Sequence, residues 1–251
     1  MKKEDFRLSA NSATYEKSSP QTIRALFASI AKDYDQANDF ASLGRHRVWN
    51  QKLIDSISPA QHLLDLCAGT GEIALGFLKT HPQSCATLVD FCPEMLHVAQ
   101  HKGQKFAQRM RTICADAMEL PFPKQTFDAV TLAYGIRNVA QPQTCLQEVF
   151  RVLQPQGTFS ILELTRPSFA PLGWMHKLYT YTCLPLFGRY ISNNASAYRY
   201  LAKSVQKFVA PQELCEMLSQ CGFERIRTQS FLFGTATLIT CKKPYLSQPS
   251  C

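Results

Sequence analysis

The chain has 251 residues, of which 45% are hydrophobic and 18% charged, and its formal net charge is +8. This length fits one large domain or two small ones, and the composition supports a packed core, so a disordered tail and a coiled coil are excluded. The longest stretch free of Asp, Glu, Lys and Arg is 14 residues, from Thr228 to Cys241, which is shorter than the roughly 18 apolar residues of a membrane span.

The N-terminal segment and the cysteines indicate a cytoplasmic protein. Residues 1–20 lack the apolar run of a signal peptide and carry acidic residues, which transit peptides avoid, so a mobile leader is expected there. The ten cysteines are scattered singly, without a C-x-x-C pair. Because zinc sites use closer and more regular spacings, reduced thiols and no metal are expected.

Residues 21–58 have apolar positions at helical spacing and predict two or three helices that form a cap before the first strand. Strands and helices then alternate, which predicts a parallel sheet covered on both faces. The predicted strands cover residues 62–69, 85–91, 111–116, 127–135 and 158–164. The predicted helices lie at 71–80, 93–108 and 143–157, and the last of them is stopped by Pro155 and Gly157.

The regular pattern stops at residues 166–207, which we expect to form an inserted helical lid. A helix is predicted at 211–222, and two closely spaced strands at 224–231 and 235–243 predict an antiparallel hairpin. The expected fold is therefore α/β, with a doubly wound, mostly parallel seven-stranded sheet in one domain at residues 21–243. A short tail at 244–251 would follow it.

The end of the first strand carries a glycine-rich fingerprint. Gly69, Gly71 and Ala74 satisfy G-x-G-x-x-[G/A], and Asp90 ends the second strand nineteen residues after Gly71. Taken literally, this pattern predicts a dinucleotide site in which Asp90 accepts hydrogen bonds from two ribose hydroxyls. S-Adenosylmethionine contains an adenosine without a pyrophosphate and fits the same geometry.

Other residues favour S-adenosylmethionine. A short-chain dehydrogenase would show Tyr-x-x-x-Lys, and no tyrosine in this chain has Lys four positions later. Asp116 and Ala117 follow the third strand, where they could bind the adenine amino group. The expected cofactor-binding residues are Asp65, Gly69, Thr70, Gly71, Asp90, Asp116 and Ala117.

Four motifs carry a family resemblance. They are Y-D-x-x-N-x-x-x-S-x-x-x-H-x-x-W from Tyr34 to Trp49, LLDLCAGTGEIA, LPFPKQTFDAVTLAYGIRNV and RVLQPQGTFSILELTRP. With them the chain resembles, over about residues 20 to 243, the ubiquinone/menaquinone C-methyltransferases. The resemblance implies a class I S-adenosylmethionine-dependent methyltransferase fold. It also implies transfer of a methyl group to a ring carbon of a polyprenylated quinol.

The position of polar residues and the chemistry of the implied reaction indicate the catalytic residues. A hydroquinone carbon becomes nucleophilic when the neighbouring hydroxyl loses its proton, so the reduced quinol is the expected substrate. Arg137 is expected to lower the pKa of that hydroxyl, and Asn138 to hold the second ring oxygen. His46 is the best candidate base, since histidine titrates near neutrality, and the cap would place it and Tyr34 over the site. For Arg137 the alternative is a structural ion pair with Glu163.

Three alternatives stay open. Overall likeness favours demethylmenaquinol of menaquinone biosynthesis, yet no motif excludes a benzoquinol of ubiquinone biosynthesis. A pI of about 9.0 and the aromatic, basic segment 166–207 are typical of an RNA methyltransferase, although no N-P-P-[YF] motif or RNA-binding module occurs. The third alternative is a non-catalytic protein that binds a small molecule.

Partners follow from the expected substrate. A polyprenyl quinol resides in the bilayer, so peripheral contact with the inner face of the membrane is expected, without a nucleic-acid partner; a homodimer is left open. Segment 166–207 contains basic and aromatic side chains and no acidic ones, a composition that suits an anionic membrane surface. The same aromatic side chains could equally pack a lid over the active site. The basic and aromatic side chains include Arg166, Lys177, Arg189, Arg199, Lys203, Lys207, Phe169, Trp174, Tyr179, Tyr181, Phe187 and Tyr190.

Overall fold

A computed structural model of the chain describes residues 19–167 and 195–245, with Pro171, Trp174 and Thr182 between these ranges. Seven strands are present in this part of the chain. They are β1 (His62–Leu66), β2 (Cys85–Asp90), β3 (Met110–Cys114), β4 (Phe127–Ala133), β5 (Leu153–Leu164), β6 (Glu224–Phe231) and β7 (Ala236–Lys242).

The strands form one sheet in the order β3-β2-β1-β4-β5-β7-β6. Strands β1 to β5 pair in parallel, and β7 is antiparallel to both β5 and β6. The chain builds outward from β1 to β3 and then returns to β4 on the other side of β1. In open α/β sheets such a reversal leaves a crevice at the carboxyl ends of the strands, where ligands bind.

Eight α-helices surround the sheet in the described residues. Four of them have proline in the first turn, where the missing N–H would lack a helical partner in any case. The helices are α1 (Pro20–Ile30), α2 (Tyr34–Ser42), α3 (Arg45–Ser56), α4 (Glu72–Thr80), α5 (Pro93–Lys102), α6 (Pro142–Val152), α7 (Ala195–Lys207) and α8 (Pro211–Gln220).

The core lies on both faces of the sheet. On one face, α6 and α8 bury side chains such as Leu146 and Leu218 against Phe159 of β5. On the other face, α3 and α4 contribute Leu53 and Phe77. Each fully buried side chain of this size contributes about 1.5–3 kcal/mol. The doubly wound architecture, the N-terminal helical cap and the closing antiparallel hairpin that the sequence predicts are confirmed. Of the two or three helices expected before β1, three are present.

Several predicted element ends are wrong. The third strand ends at Cys114, before the predicted residue 116, and the helix predicted at 93–108 ends at Lys102. Gly103 is the C-cap of this helix, and its amide donates to the Ala99 carbonyl. Glycine is a poor residue for a helix interior, which favours an end at this position. The helix predicted to be stopped by Pro155 and Gly157 ends at Val152, and β5 begins at the next residue. Pro155 explains this end, because proline disfavours helical backbone in the residue before it.

Several predictions lie outside the described residues. Almost all of the leader, most of the lid segment and most of the tail lie outside them. Within the lid segment, the structure describes α7. The basic residues Lys177 and Arg189 lie outside as well, together with the aromatic residues Phe169, Tyr179, Tyr181, Phe187 and Tyr190. Within the described residues, no helix is long and apolar enough to span a membrane.

Gly135, two residues after β4, lies against the loop that follows β1. A Cβ at this position would stand 2.4 Å from Cys67 Cβ and 2.9 Å from its Sγ. We therefore expect Gly135→Ala to lower the free energy of unfolding in urea by about 1–3 kcal/mol. Cys67 has a φ of +54°, which glycine tolerates, so adding Cys67→Gly should recover most of the loss. A Gly135→Ala variant as stable as the parent would contradict this close contact.

Candidate active site at the carboxyl edge of the sheet

The loop between β1 and α4 leaves room for a ligand. Cys67, Gly69 and Gly71 have φ angles of +54°, +53° and +80°, so the chain turns sharply at the strand end. A Cβ on Gly71 would lie 3.0 Å from both Ala99 Cβ and Leu88 Cδ2, so glycine lets the loop pack closely on α5 and β2. A Cβ on Gly69 would meet nothing within 4 Å. Gly69 lines a cavity instead.

Asp65, in β1, holds this loop in place. Its side chain is buried, and both carboxylate oxygens accept hydrogen bonds, from Thr131 Oγ1 at 2.9 Å and from the Ala74 amide at 3.1 Å. These bonds join β1 to β4 and to the first turn of α4. They give Asp65 a positioning role, while its direct contact with a cofactor stays a prediction.

Burial raises the pKa of Asp65 from 3.8 to about 7. Between about pH 4 and pH 7 the folded chain thus binds this proton more tightly than the unfolded chain, so raising the pH through this window removes stability. In Asp65→Asn the side chain cannot titrate. The unfolding free energy of this variant, measured in urea, should therefore fall less than that of the parent between about pH 4 and pH 7. The exposed Glu119→Gln is the control. Asp65→Asn with the parent's pH dependence would contradict the expectation.

Asp90, at the end of β2, joins the glycine loop to the next turn. Its Oδ2 accepts a hydrogen bond from the Gly69 amide at 2.8 Å, and its Oδ1 accepts one from the Cys92 amide at 2.9 Å. Burial raises the pKa of Asp90 above its usual value. Each carboxylate oxygen has a further lone pair, and Asp90 lines the same cavity as Gly69, so it can accept ribose hydroxyls.

The cavity at Gly69 and Asp90, which we call the sheet-edge cavity, has an empty volume of about 810 Å³ including open solvent. Asp116 and Ala117 also line this cavity. Asp116 is exposed and accepts a hydrogen bond from the Met118 amide at 2.8 Å. Apolar residues line the walls between, so the cavity fits S-adenosylmethionine, with acceptors for the ribose and an apolar slot for the adenine.

A larger cavity, which we call the cap cavity, lies beneath the cap and has an empty volume of about 1420 Å³ including open solvent. Its polar side chains include Asn38, His46 and Arg137. Tyr34 and Tyr134 line both cavities, so the two cavities meet at these rings. The apolar lining of the cap cavity includes Leu26, Phe27, Ile30, Leu43, Trp49, Leu164, Leu201, Val205 and Leu232.

Arg137 is buried in a 3₁₀ turn after β4. Its Nη1 lies 2.5 Å from Glu163 Oε1 and also donates to the Tyr134 carbonyl, and its Nε donates to Ser204 Oγ at 3.3 Å. Glu163 is buried as well; burial raises its pKa, and the guanidinium opposes that rise. The ion pair that the sequence offered as an alternative is therefore present, and Arg137 still borders the cap cavity.

Asn138 lies on a different side from Arg137. It lines the sheet-edge cavity, and its Oδ1 accepts a hydrogen bond from the Tyr200 hydroxyl at 3.0 Å. Tyr200 belongs to α7 and lines the cap cavity. The expected contact between Asn138 and a quinol oxygen stays a prediction.

His46, in α3, is buried and held at both ring nitrogens. The Ser42 hydroxyl donates to the Asn38 carbonyl at 2.7 Å, so it accepts from His46 Nδ1, also at 2.7 Å. The Nε2 atom faces Glu72 at 3.4 Å and Asp39 at 3.8 Å. His46 thus connects the cap to α4, and its role as a base stays a prediction.

Sequence reasoning missed a polar cluster that ties the cap to the glycine loop. Lys102 Nζ lies 2.5 Å from Asp35 Oδ2 and 3.6 Å from Glu72 Oε1. Thr70 Oγ1 donates to Asp35 Oδ1 at 2.5 Å. The predicted cofactor residue Thr70 is therefore buried against α2. Asp35 belongs to the same motif as Tyr34, but no local pattern connects it with Lys102.

Comparisons with known proteins agree with this geometry. The chain is 45% identical over 239 residues to a demethylmenaquinone methyltransferase of Protochlamydia amoebophila, covering 92% of this chain and 99% of the relative. The structure resembles the [4+2]-cyclase SpnF, with a TM-score of 0.68 at 14% identity over 91% of this chain and 97% of the other.

It also resembles a Haemonchus contortus phosphoethanolamine N-methyltransferase 2 solved in complex with S-adenosyl-L-methionine. The TM-score is 0.59 at 14% identity, over 78% of this chain and 52% of the other. At these identities the structural likeness shows the fold alone, which is that of class I methyltransferases. Residues 15–243 match the ubiE/COQ5 methyltransferase family. The chain therefore belongs to the ubiE/COQ5 methyltransferase family, whose members use S-adenosylmethionine as methyl donor.

Proposed function

We propose that this protein transfers the methyl group of S-adenosylmethionine to a ring carbon of demethylmenaquinol and so forms menaquinol. The junction of the two cavities at Tyr34 and Tyr134 carries the proposal. One cavity suits an adenosyl group, and the larger, apolar one suits a lipid-like acceptor. The name of the Protochlamydia relative supports a naphthoquinol as this acceptor.

The size and lining of the cap cavity favour a quinol with a tail. With an empty volume of about 1420 Å³, it exceeds what a two-ring head group requires. The head group would lie at the inner end, beside Tyr134 and Arg137. The first prenyl units would lie along α1 and α7, where each buried CH₂ contributes about 0.8 kcal/mol.

Bound S-adenosylmethionine supplies an electrophilic methyl group. The chain contributes groups that favour the quinol oxyanion. The buried guanidinium of Arg137 keeps its charge beside the cap cavity and lowers the pKa of a nearby hydroxyl. Burial raises the pKa of Tyr34, so Tyr34 stays a neutral phenol that can donate a hydrogen bond to the oxyanion.

His46 is the base in this proposal. His46 lines the cap cavity, so Nε2 can receive the hydroxyl proton of the quinol directly or through one water. Once the ring carbon has bonded to the methyl group, that carbon loses its hydrogen as a proton and the oxygen regains one, which restores the aromatic quinol. Asp39 and Glu72, which face Nε2, would stabilise the imidazolium that forms. Asn138 lines the sheet-edge cavity, so it would hold the second ring oxygen only if that oxygen lies at the junction of the two cavities.

A labelling experiment tests the proposed function. The protein is incubated with methyl-labelled S-adenosylmethionine and one of three acceptors: reduced demethylmenaquinol, a reduced benzoquinol that lacks the ring methyl, or bulk RNA. We expect label in the naphthoquinol, and little when the same compound is supplied oxidised. Label in the benzoquinol alone would assign the protein to ubiquinone biosynthesis, and label in RNA alone would overturn quinol methylation.

We also propose that the protein contacts the membrane surface reversibly, supported by the excess of basic and aromatic residues in 166–207. Near an anionic surface each basic residue contributes about 1 kcal/mol. Lys177→Gln with Arg189→Gln should therefore weaken binding to anionic vesicles by about tenfold or more at low salt. Sedimentation with the vesicles at low and high salt measures the binding. A mass determination of the free protein decides whether it is a homodimer. Binding that the double variant leaves unchanged would contradict the role of this segment.

A further inference from the structure

Two segments near the cap cavity expose large apolar side chains. One runs from the end of α2 through the turn into the start of α3, and the other is the turn that follows β6. We call the five side chains the apolar rim. They are Phe40, Leu43, Val48, Leu232 and Phe233, with exposed fractions of 57%, 83%, 61%, 43% and 75%.

The two turns belong to one surface. Trp49 of α3 stacks on Phe231, the residue before Leu232, with ring centroids 6.2 Å apart. Leu43 and Leu232 are exposed and also line the cap cavity. The cavity therefore reaches the surface at both turns, where Leu43 and Leu232 border it. On α3, Val48 lies one helical turn after Arg45, which also lines the cap cavity.

Arg45 places a positive charge at this opening of the cap cavity. Arg45 is exposed and lines the cap cavity. The nearby Asp39 carboxylate is neutralised by Arg47, whose Nε and Nη2 donate to it at 2.8 Å and 2.5 Å. Arg45 therefore contributes a positive charge beside exposed apolar side chains, and this combination suits an anionic lipid surface.

We infer that the apolar rim docks on an anionic lipid bilayer, with Leu43, Val48 and Phe233 reaching below the headgroups and the mouth of the cap cavity facing the lipid. This inference rests on the proposed function, because a polyprenyl quinol must enter the cavity from the bilayer. It places the docking surface on the cap and the β6–β7 turn, in addition to segment 166–207.

The test uses the double variant Val48→Ser with Phe233→Asn in the full chain. Neither residue lines the cavities, and asparagine tolerates the φ of +57° at Phe233. In flotation with phosphatidylcholine vesicles containing one quarter phosphatidylglycerol, the variant should bind about tenfold more weakly than the parent. Tyr245→Ser is the matched control. Tyr245 is 75% exposed but follows the end of β7, so it lies at the other end of the strands from the β6–β7 turn. It should bind like the parent.

Two acceptors separate docking from chemistry. The double variant should methylate a short-tailed, water-soluble demethylmenaquinol analogue at the parent's rate, and should lose several-fold in rate on long-tailed quinol in vesicles. Vesicle binding by the double variant that equals that of the parent would overturn the inference. A parent that is a dimer, and that the substitutions convert to a monomer, would also overturn it, because the apolar rim would then be a protein interface. If the parent methylates neither quinol, the proposed function fails, and flotation still decides the docking surface.

Discussion

Asp90→Ala should weaken the binding of S-adenosylmethionine by about ten- to a hundredfold, because charge-assisted hydrogen bonds are worth about 1.5–3 kcal/mol. The substitution removes the acceptor for the ribose hydroxyls. It also removes the bond that holds the Gly69 amide at 2.8 Å, so the glycine loop loses part of its support. Titration calorimetry of the folded variant measures the dissociation constant.

Asp128→Ala is a matched control. The Asp128 carboxylate also accepts two backbone amides, from Gln61 at 2.8 Å and His62 at 3.0 Å, but at the amino end of β1. Both variants lose a carboxylate that supports the backbone, and only Asp90 lines the sheet-edge cavity. Equal losses of affinity in the two variants, or no loss in Asp90→Ala, would contradict a ribose-binding role.

Arg137→Met should lower the free energy of unfolding by about 3–5 kcal/mol, because it leaves the buried carboxylate of Glu163 without its partner. Urea denaturation measures this loss. Arg137→Lys keeps the charge without the planar, two-point donor. It should stay folded and bind S-adenosylmethionine like the parent, while quinol turnover falls by about tenfold or more.

A double variant separates the two roles of Arg137. With Arg137→Met and Glu163→Leu together, no unpaired charge is left in the interior, so most of the stability should return. Turnover should stay low, because the positive charge beside the cap cavity is still missing. If turnover recovers together with stability, Arg137 serves the fold alone.

The fold could be predicted from the sequence because its signals are local. Apolar strands alternate with helices that begin at prolines such as Pro93 and Pro142, and the glycine loop follows directly on β1. The sequence assigned the stop of α6 to Pro155 and Gly157, but the helix ends a few residues earlier, at Val152. The apolar pattern continues from Val152 into β5, so the pattern does not show where the helix gives way to the strand.

The candidate site was predicted less completely, because contacts between distant segments leave no local pattern. Asp35 and Lys102 are 67 residues apart, and their pairing depends on how α2 packs on α5. Arg137 and Asn138 were expected to act on one ligand. Because successive side chains of a 3₁₀ turn point about 120° apart, the two residues line different cavities. Tyr134, whose φ is +56°, was not predicted to lie between the cavities.

The position of the transferred methyl group tests carbon methylation most directly. The protein is incubated with S-adenosylmethionine that carries a deuterated methyl group and with reduced demethylmenaquinol, and the product is examined by NMR and mass spectrometry. The account predicts one deuterated methyl group bonded to the vacant ring carbon beside a quinol oxygen. A deuterated methyl ether on that oxygen, or a product without label, would contradict it.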